Sequence, residues 1–456
     1  MTRSWTDSHH QSYQIEGPTD GQPARFETRP NSIAALPNNT RAAGKVSWFD
    51  RWLGRRLLQG VGSPPISLTL WDSEQLSVNG PPFVAGLWIR DRVTLLKLLL
   101  NPQLCFGDAY SAGHVQVDGD LAEMIDAVSR SVEPAWQQPS LWNWLLEFAN
   151  RPRGSSPAAS RANIHHHYDI GNDFYKLWLD DQMLYSCAYF ARPEMTLEES
   201  QVAKMDHVCR KVQLSAGDEV VEAGCGWGAL SLHMARDYGA RVKAYNISRE
   251  QIQFARDRAA AEGLGGRVEF IEDDWRNISG RYDKFVSVGM LEHIGLRNYQ
   301  RLGTVVSCCL KQDGIGLIHT IGRNFATALN PWTERRIFPG AYPPTIRQSM
   351  EIFERANLSV LDIENIRLHY AKTLSIWLDR FERNGNHVRE MFDEHFVRMW
   401  RLYLVSSAIA FRMGELQLFQ IVFAHANNND VPWTRDYLYV GESRRQAHGV
   451  TGNGPL

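Results

Sequence analysis

The strongest chemical signal in the sequence is the glycine-rich stretch EAGCGWGA at residues 222–229. It follows the apolar run DEVVEAG, which predicts a buried strand, and it opens the helical pattern ALSLHMARDYG. In this context glycines allow the backbone to approach a nucleotide-like ligand closely. The turn residues are Gly224, Cys225, Gly226 and Gly228. Glu222 adds a carboxylate immediately before the glycines, which favours a ligand that carries positive charge.

The same turn satisfies the dinucleotide pattern GxGxxG/A, because Ala229 stands at the third position. A dehydrogenase usually has an Asp or Glu at the end of the second strand, whereas Tyr245 and Asn246 stand there. The turn also has no basic group to meet a pyrophosphate. Glu222 instead suits S-adenosylmethionine, whose sulfonium and ammonium groups are cationic. A capping or loop-bonding role is the alternative for Glu222.

Two further places could contact the adenosine part of such a ligand. Ser248 and Gln251 form the capping box S-x-x-Q of the next helix, and they serve either as a cap alone or also as a contact to the ribose. Asp274 and Trp275 end the third predicted strand, where Asp could accept from an adenine amino group and Trp could provide a flat wall. Loop packing is the alternative for Trp275.

The elements that must position these residues are strands alternating with helices. After DEVVEAG, the predicted strands are RVKAYNI, RVEFIEDD, KFVSVGML and GIGLIHTIG. Between the first three strands lie two helical patterns that end at glycines. This alternation predicts an α/β fold with a doubly wound, mostly parallel sheet.

Composition divides the 456 residues into five segments. Residues 1–40 and 441–456 are predicted to be flexible tails, since they lack apolar periodicity. Residues 41–150 contain short alternating runs and helical patterns, which predict a smaller α+β domain. The stretch 151–163 has the Pro, Gly and Ser content of a linker, and 164–440 form the main α/β domain.

Within the smaller domain, KVSWFDRWLGRRLLQ predicts a basic amphipathic helix. A helix packed on its own domain is one interpretation. An interfacial helix on anionic lipid is the other, because tryptophans lie beside Arg51, Arg55 and Arg56.

Charge and composition exclude several classes of protein. Lys and Arg number 49 against 51 for Asp and Glu, so the formal charge of −2 gives no argument for nucleic acid as a partner. Six cysteines without CxxC spacing favour a reducing, cytoplasmic compartment. The sequence begins without a secretory signal pattern and contains no apolar run long enough to span a bilayer, so we expect a soluble or peripheral protein.

Three adjacent histidines, His165 to His167, are the feature closest to a metal-binding motif. Three consecutive side chains cannot all face one ion, and no Cys or carboxylate partner recurs at zinc spacing. We therefore expect no metal and favour a loop that closes over the cofactor.

Several stretches together resemble the family of cyclopropane fatty acid synthases and mycolic acid cyclopropane synthases. They run in order from about residue 163 to 425 and are NIHHHYDIGNDFY, LYSCAYF, EAGCGWG, VSVGMLEHIG, LIHTIG, IFPGAYPP, HYAKTLSIW and QLFQIVF. The region 60–130 is similar to the additional N-terminal domain of the bacterial members. One such motif is weak evidence, but eight in order are specific.

The resemblance implies a Rossmann-like class I methyltransferase fold with a lipid-binding cover. It implies transfer of the methyl group of S-adenosylmethionine to the cis double bond of an unsaturated acyl chain, commonly in a phospholipid at the inner face of the membrane. A homodimer is a further expectation from the family. Together with Glu222, the positions matching the cofactor site are Tyr185, Ser186, Gly224, Cys225, Gly226, Gly228, Asn246, Ile247, Ser248, Gln251, Asp274 and Trp275.

The resemblance also implies a pocket for bound bicarbonate, which removes a proton from the added methyl group so that the ring closes. We name this set the base pocket; it comprises Cys187, Glu292, His319, Ile321 and Tyr370. Taken singly, His319 could be a core histidine and Cys187 a small buried hydrophobe. Ser407 departs from the family pattern, because relatives often have a cysteine there that has been proposed as catalytic. If the alignment holds, this chain works without that thiol, which favours the bicarbonate mechanism or puts full cyclopropanation in doubt.

Three other functions are alternatives. A related enzyme could give a methyl-branched or methylene product, or could methylate a small amine, although an amine acceptor needs no base pocket. A lipid- or cofactor-binding protein without chemistry is disfavoured by the complete base pocket. A dehydrogenase is disfavoured by Asn246.

Overall fold

The smaller domain is built around a mixed sheet. The computed structural model describes residues 45–136 and 170–439 of the chain. The elements of the first range are α1 (Trp48–Gly60), β1 (Ile66–Thr69), β2 (Gln75–Leu76), β3 (Ala85–Ile89), α2 (Arg92–Leu100), α3 (Pro102–Ser111), β4 (Val115–Asp118) and α4 (Leu121–Trp136). The strands lie in the order β2-β1-β3-β4, with β1 parallel to β3 and the outer pairs antiparallel. The predicted smaller α+β fold is therefore confirmed.

Helix α1 has features of both interpretations that its sequence pattern allowed, a helix packed on its own domain and an interfacial helix. Ser47 and Asp50 form a capping box at its start. The side chains buried against its own domain are Leu53, Leu57 and Leu58. The aromatic side chains left exposed are Trp48, Phe49 and Trp52. The helix thus packs on its domain and still presents an aromatic surface to solvent.

The main domain contains the sheet that carries the glycine turn. Its helices are α5 (Asn172–Lys176), α6 (Leu197–Lys211), α7 (Ala229–Asp237), α8 (Arg249–Ala261), α9 (Leu291–Ile294), α10 (Tyr299–Cys309), α11 (Pro331–Arg336), α12 (Ile346–Ser349), α13 (Glu351–Glu354), α14 (Arg367–Arg383), α15 (Gly385–Met391) and α16 (Glu394–Met413). Its strands are β5 (Glu219–Ala223), β6 (Arg241–Asn246), β7 (Val268–Glu272), β8 (Tyr282–Val288), β9 (Leu310–Gly322), β10 (Leu358–Asn365) and β11 (Gln417–His425).

The seven strands lie in the order β10-β11-β9-β8-β5-β6-β7. Strands β5 to β9 are parallel to one another, and β11 runs antiparallel between β9 and β10. The order reverses beside β5, and ligands of open α/β sheets bind at such a point, outside the carboxyl ends of the strands. The prediction of a doubly wound, mostly parallel sheet is confirmed. No helix in the two described ranges is long and apolar enough to cross a bilayer.

The smaller domain packs against α16 of the main domain. Arg398 on α16 donates to the carbonyl oxygens of Tyr110 (2.5 Å) and Val115 (2.7 Å). Gly107 on α3 lies against Trp332, whose ring leaves no room for a β-carbon at that position. One apolar cluster continues from the smaller domain into the helices of the main domain. The predicted tails and the linker 151–163 lie outside the described residues, so these boundaries remain proposals.

Candidate active site

The glycine turn joins β5 to α7 in a backbone conformation that suits glycine. Gly224, Gly226 and Gly228 all have positive φ angles, of 87°, 53° and 84°. At Gly228 a β-carbon would also lie 2.6 Å from the Phe270 ring. The sequence therefore places glycine where the chain must turn sharply and where α7 packs closely on the sheet.

A pocket opens at the carboxyl ends of β5, β6 and β7, and we name it the cofactor pocket. Of the predicted cofactor residues, those that line it are Tyr185, Ser186, Glu222, Gly224, Cys225, Gly226, Asn246, Ile247, Gln251, Asp274 and Trp275. Gly228 and Ser248 stand behind this lining, at the starts of α7 and α8.

The carboxylate of Glu222 lies at the end of β5 and is only 2% exposed. The Ser231 hydroxyl donates to Glu222 Oε2, so the carboxylate has a bonding partner within α7. Burial raises the pKa of the Glu222 carboxyl to about 7. A buried acceptor at the edge of the pocket fits a cationic ligand, and the positive φ angles of the turn let such a ligand approach the backbone. These observations fit S-adenosylmethionine.

A buried lysine that the sequence analysis did not identify also lines the pocket. Lys204 on α6 is 1% exposed and donates from Nζ to the Ser186 hydroxyl at 2.9 Å. Burial lowers the pKa of Lys204 to about 8, while the nearby carboxylates of Asp180 and Glu222 oppose that shift. Lys204 thus fixes the orientation of a predicted cofactor residue.

Helix α6 also holds the backbone of the segment that contains Tyr185 and Ser186. Gln201 donates to the carbonyl oxygens of Leu184 (3.3 Å) and Ser186 (2.9 Å). The Tyr185 hydroxyl lies 2.7 Å from that of Tyr403 on α16. The segment is therefore fixed between two helices.

The ends of β6 and α8 form a bonded unit. Asn246 donates to Gln251 Oε1 at 2.8 Å and to the Gly226 carbonyl oxygen at 3.3 Å. The Ser248 hydroxyl accepts from the Gln251 backbone amide, which is one half of the predicted capping box. The other half is absent, because the Gln251 side chain accepts from Asn246 and the Ser248 amide donates to Asn246 Oδ1. Gln251 itself lines the pocket, so a ribose contact stays a prediction for that residue.

Asp274 and Trp275 lie side by side after β7, where Arg276 contacts both. Arg276 Nη1 donates to the two carboxylate oxygens of Asp274 at 2.9 and 2.8 Å. The same guanidinium lies 4.6 Å from the Trp275 ring centroid. Asp274 already has a cationic partner, and Trp275 is 6% exposed within a core cluster. Both side chains therefore also have a structural role in packing this loop.

In the base pocket, Glu292 lies against the end of β9. Glu292 Oε2 accepts from the Thr320 hydroxyl at 2.9 Å, and Oε1 accepts from the Ile321 amide at 3.3 Å. Burial raises the pKa of Glu292 above its usual value. Two predicted members of the pocket, Glu292 and Ile321, are thus in direct contact.

Cys187 and Tyr370 belong to one apolar cluster, and Ile321 packs against it. Cys187 is fully buried, donates to the Ala188 carbonyl oxygen, and has its thiol pKa raised by burial. The Tyr370 ring lies 4.6 Å from that of Phe411. A thiol held in this state behaves as a packing group and not as a nucleophile.

His319 on β9 is 2% exposed, and its Nδ1 lies 3.1 Å from Gln420 Nε2 on β11. Burial lowers the pKa of His319 to about 3, and the charges of Lys204 and Lys211 lower it further. The imidazole is therefore neutral at physiological pH.

Two other features singled out in the sequence are Ser407 and the three adjacent histidines. Ser407 is partly buried on α16, one turn after Tyr403. The histidines 165–167 lie outside the described residues.

Other pocket residues were not among the predicted site residues; they include Met183, Leu184, Lys204, Trp227, Asp273, Arg276, Met290, His293 and Ile294. Of these, Trp227 lies inside the recognised turn, and His293 directly follows Glu292 in a recognised motif. These two positions could have been inferred from their neighbours. Lys204 gave no such signal, since an isolated lysine on a helix is usually solvated.

Comparisons with known proteins identify the family of the main domain. A family model described as mycolic acid cyclopropane synthetase matches residues 155–421. A domain family of unknown function matches residues 54–140.

Two relatives differ in the length that they match. A probable fatty acid methyltransferase of Pseudomonas putida is 35% identical over 387 residues, which are 82% of this chain and 96% of the relative. The cyclopropane-fatty-acyl-phospholipid synthase of Escherichia coli strain K12 is 40% identical over 265 residues, which are 58% of this chain and 68% of the relative.

A solved structure supports the cofactor. The crystal structure of mycolic acid cyclopropane synthase CmaA1 complexed with SAH and CTAB matches with a TM-score of 0.55 and 29% identity. The match covers 58% of this chain and 97% of that chain. With the family match over more than half of the sequence, the chain belongs to the mycolic acid cyclopropane synthetase family and is an S-adenosylmethionine-dependent C-methyltransferase.

Proposed function

We propose that this protein is a cyclopropane-fatty-acyl-phospholipid synthase, which methylates the cis double bond of an unsaturated acyl chain and closes a cyclopropane ring. The names of the relatives support an acyl substrate, since they include a phospholipid synthase and a fatty acid methyltransferase. The observation that carries the proposal is the position of Glu292, a buried carboxylate bonded to the Ile321 amide beside an apolar cluster.

The apolar surroundings matter because an alkene is a weak nucleophile and its methylation leaves a carbocation. Water in the site would trap that cation, so the site must be dry. Cys187 and Tyr370 are both buried in the cluster, and Ile321 packs against it. We assign them to water exclusion around the reacting chain.

Ring closure requires a base for one proton of the added methyl group. We propose that the base pocket holds bicarbonate through His319 and Tyr370, with the Ile321 amide shared between the anion and Glu292 Oε1. Bound bicarbonate then supplies this base. The donors fit an anion, because His319 is neutral and can donate one N–H. Glu292 orients this network, because its two carboxylate oxygens accept from the Thr320 hydroxyl and the Ile321 amide.

A methyl-branched or methylene product is the second candidate. The observation that favours it is Ser407, which lies on α16 one turn after Tyr403. By resemblance to the family, a cysteine is often found at the position of Ser407. Amine methylation is less favoured, because an amine acceptor leaves the buried Glu292 without a role.

We further propose that the protein works in the cytoplasm at the inner face of the membrane and forms a homodimer. Two features of α1 support the membrane contact. The rings of Trp48, Phe49 and Trp52 are exposed, and the Arg56 guanidinium lies 5.3 Å from the Trp52 ring centroid. An aromatic and basic helix surface suits anionic lipid. Arg51 contributes less, because it is paired with Glu74 at 2.5 Å.

The test is to incubate the purified protein with S-adenosylmethionine, bicarbonate and mixed monounsaturated phospholipids, and to analyse the acyl chains by gas chromatography with mass spectrometry. We expect a gain of one CH₂ with loss of the alkene, and the fragmentation separates ring from branch. The variant Glu292→Gln should lose turnover and keep cofactor binding by calorimetry. The control Glu219→Gln changes an exposed carboxylate at the far end of β5 and should keep both.

No acyl product, with the cofactor bound, would reject the proposal and direct the search to amine acceptors. Normal turnover of Glu292→Gln would reject the base pocket alone.

A further inference from the structure

The stretch QLFQIVF forms β11, and one of its residues has no role in the function proposed so far. Gln420 is fully buried and lies in the middle of a row of three polar residues across the sheet. In the strand register Gln420 is paired with His319 on β9 and with Glu364 on β10. Side chains at paired positions lie on the same face of a sheet. Helix α6 packs against this face.

The hydrogen bond between Gln420 and His319 decides which ring nitrogen carries the proton. Gln420 presents Nε2 to His319 Nδ1 at 3.1 Å. An amide NH₂ group can only donate, so Nδ1 must accept. In a neutral imidazole the single proton is then on Nε2.

The other end of the Gln420 amide supports this orientation. Gln420 Oε1 has no hydrogen-bond partner among the described residues. Buried carbonyl oxygens without a partner are more common than buried N–H groups without one, so this orientation leaves unpaired the less costly part of the amide.

The charges around His319 keep the ring neutral. From α6, Lys204 and Lys211 face it as cations, and His207 lies beside them. From β10, Glu364 could stabilise an imidazolium. However, Glu364 Oε2 is already paired with His207 Nε2 at 2.7 Å and Lys211 Nζ at 2.6 Å.

We propose that Gln420 is a positioning residue that fixes His319 in its Nε2–H tautomer, so that His319 serves the base pocket as a hydrogen-bond donor and never as the base. The part that concerns the base pocket rests on the proposed function. The tautomer itself does not. The reversed tautomer would leave Nε2 as an acceptor, which would repel an anion and could itself take a proton.

The test reads the tautomer directly, on full-length protein labelled with ¹⁵N-histidine. Long-range ¹H–¹⁵N spectra distinguish the two neutral tautomers, and loss of one ring in His319→Gln assigns the signal. We expect His319 to be protonated at Nε2 and to stay neutral from pH 6 to 8, a range chosen about the ordinary histidine pKa. A ring protonated at Nδ1, or at both nitrogens, would overturn the proposal without any variant.

Two variants then separate positioning from packing. In Gln420→Glu a carboxylate can accept from Nδ1, so the proton should move to Nδ1 and the His319 pKa should rise. In Gln420→Leu the amide is lost, and turnover should fall about 10- to 100-fold, which is the loss seen when residues that orient metal-binding histidines are removed. Cofactor affinity should be unchanged in Gln420→Leu.

The control is Gln417→Leu, which removes another buried amide from β11. Gln417 donates to the Gly414 carbonyl oxygen at 2.7 Å and lies away from His319 in the register. The His319 tautomer should be unchanged in this variant. Unchanged turnover in Gln420→Leu would overturn the positioning role.

Failure of the two proposals can be told apart. If the spectra show the Nε2–H tautomer but no acyl chain is methylated, the proposed function fails and the tautomer assignment stands. If acyl chains are methylated by a protein whose His319 is protonated at Nδ1, the function stands and the role of Gln420 is wrong.

Discussion

At the scale of single residues, the cofactor pocket places a carboxylate and an ammonium group in one buried environment. Glu222 and Lys204 are both nearly inaccessible to water. Burial raises the pKa of Glu222 and lowers the pKa of Lys204, so it favours the neutral form of each group. Their mutual attraction opposes both shifts. A cationic ligand beside Glu222 adds further attraction for the ionised carboxylate, so ligand binding and ionisation of Glu222 favour each other.

We therefore predict that the affinity for S-adenosylmethionine rises with pH. The pKa of Glu222 is raised from 4.5 to about 7, so the carboxyl is protonated on the acid side of that value and ionised on the alkaline side. Calorimetry between about pH 5.5 and 7.5 should show tighter binding as pH increases, and Glu222→Gln should bind weakly with a flat profile. The control Glu219→Gln should retain the wild-type profile, because that residue is exposed on the same strand. A flat wild-type profile would contradict the assignment.

The structure brings predicted site residues together where they lie beside a recognisable turn. Glu222 and Asn246 were found because strand ends in a parallel sheet meet at one edge. Lys204 could not be found in this way. Its burial depends on the fold of the segment around Ser186, which is distant in sequence from the glycine turn. The contact of Gln420 with His319 likewise depends on the strand register, which no local pattern specifies.

At the scale of elements, the glycine turn limits how close α7 can lie to the sheet. Gly226 and Gly228 share the positive φ that disfavours other residues. They differ in the room available for a side chain. A β-carbon at Gly226 would meet no atom within 4 Å, whereas at Gly228 it would collide with the Phe270 ring. The two positions therefore separate backbone strain from steric collision.

We predict that Gly228→Ala destabilises the protein more than Gly226→Ala does. Both substitutions carry the backbone cost, and Gly228→Ala adds overpacking of roughly 1–3 kcal/mol. Urea denaturation of the two ligand-free variants measures the difference. Equal stability would mean that Phe270 moves aside without cost.

The strands were predicted unequally, for a physical reason. Strands β5 to β9 are apolar runs bounded by glycines or polar turns, so they can be predicted from the local sequence. Strand β10 (Leu358–Asn365) lies at the sheet edge and is mostly only half buried, so it lacks a clear apolar pattern. Strand β11 was recognised only as a family motif, and its antiparallel pairing with β9 and β10 depends on contacts distant in sequence.

At the scale of the whole molecule, the smaller domain and α16 share a core. Arg398 supplies donors to two carbonyl oxygens of the smaller domain, and Arg412 pairs with Asp126 at 2.7 Å. A shared core that also contains fixed hydrogen bonds joins the two domains more firmly than a flexible linker alone would.

We predict that Arg398→Met weakens this association. The substitution removes a charged donor from the carbonyl oxygens of Tyr110 and Val115, at a cost of roughly 1–3 kcal/mol. Chemical denaturation and limited proteolysis should show earlier release of the smaller domain. Arg389→Met is the matched control, because Arg389 forms an exposed ion pair with Glu394 and should change stability by less than about 1 kcal/mol. Equal effects of the two variants would contradict the prediction.

We also predict that the exposed face of α1 binds anionic vesicles. Trp48→Ala should reduce sedimentation with phosphatidylglycerol vesicles several-fold, and added salt should reduce binding of the wild type. Trp433→Ala is the control, since Trp433 is 98% exposed but lies after β11. Salt-independent sedimentation, or equal loss in both variants, would argue against α1 as the contact.

The contacts on α16 have a thermodynamic consequence. Arg398 receives the smaller domain, and five residues later Tyr403 bonds to Tyr185 beside the cofactor pocket. If the smaller domain shifts against α16 when α1 binds a lipid surface, it acts on the helix that also contacts the cofactor pocket. Reciprocity then requires the donor to change the affinity for that surface by the same factor. Loading with the donor and arrival at the bilayer would be one coupled equilibrium, in which each event prepares the protein for the other.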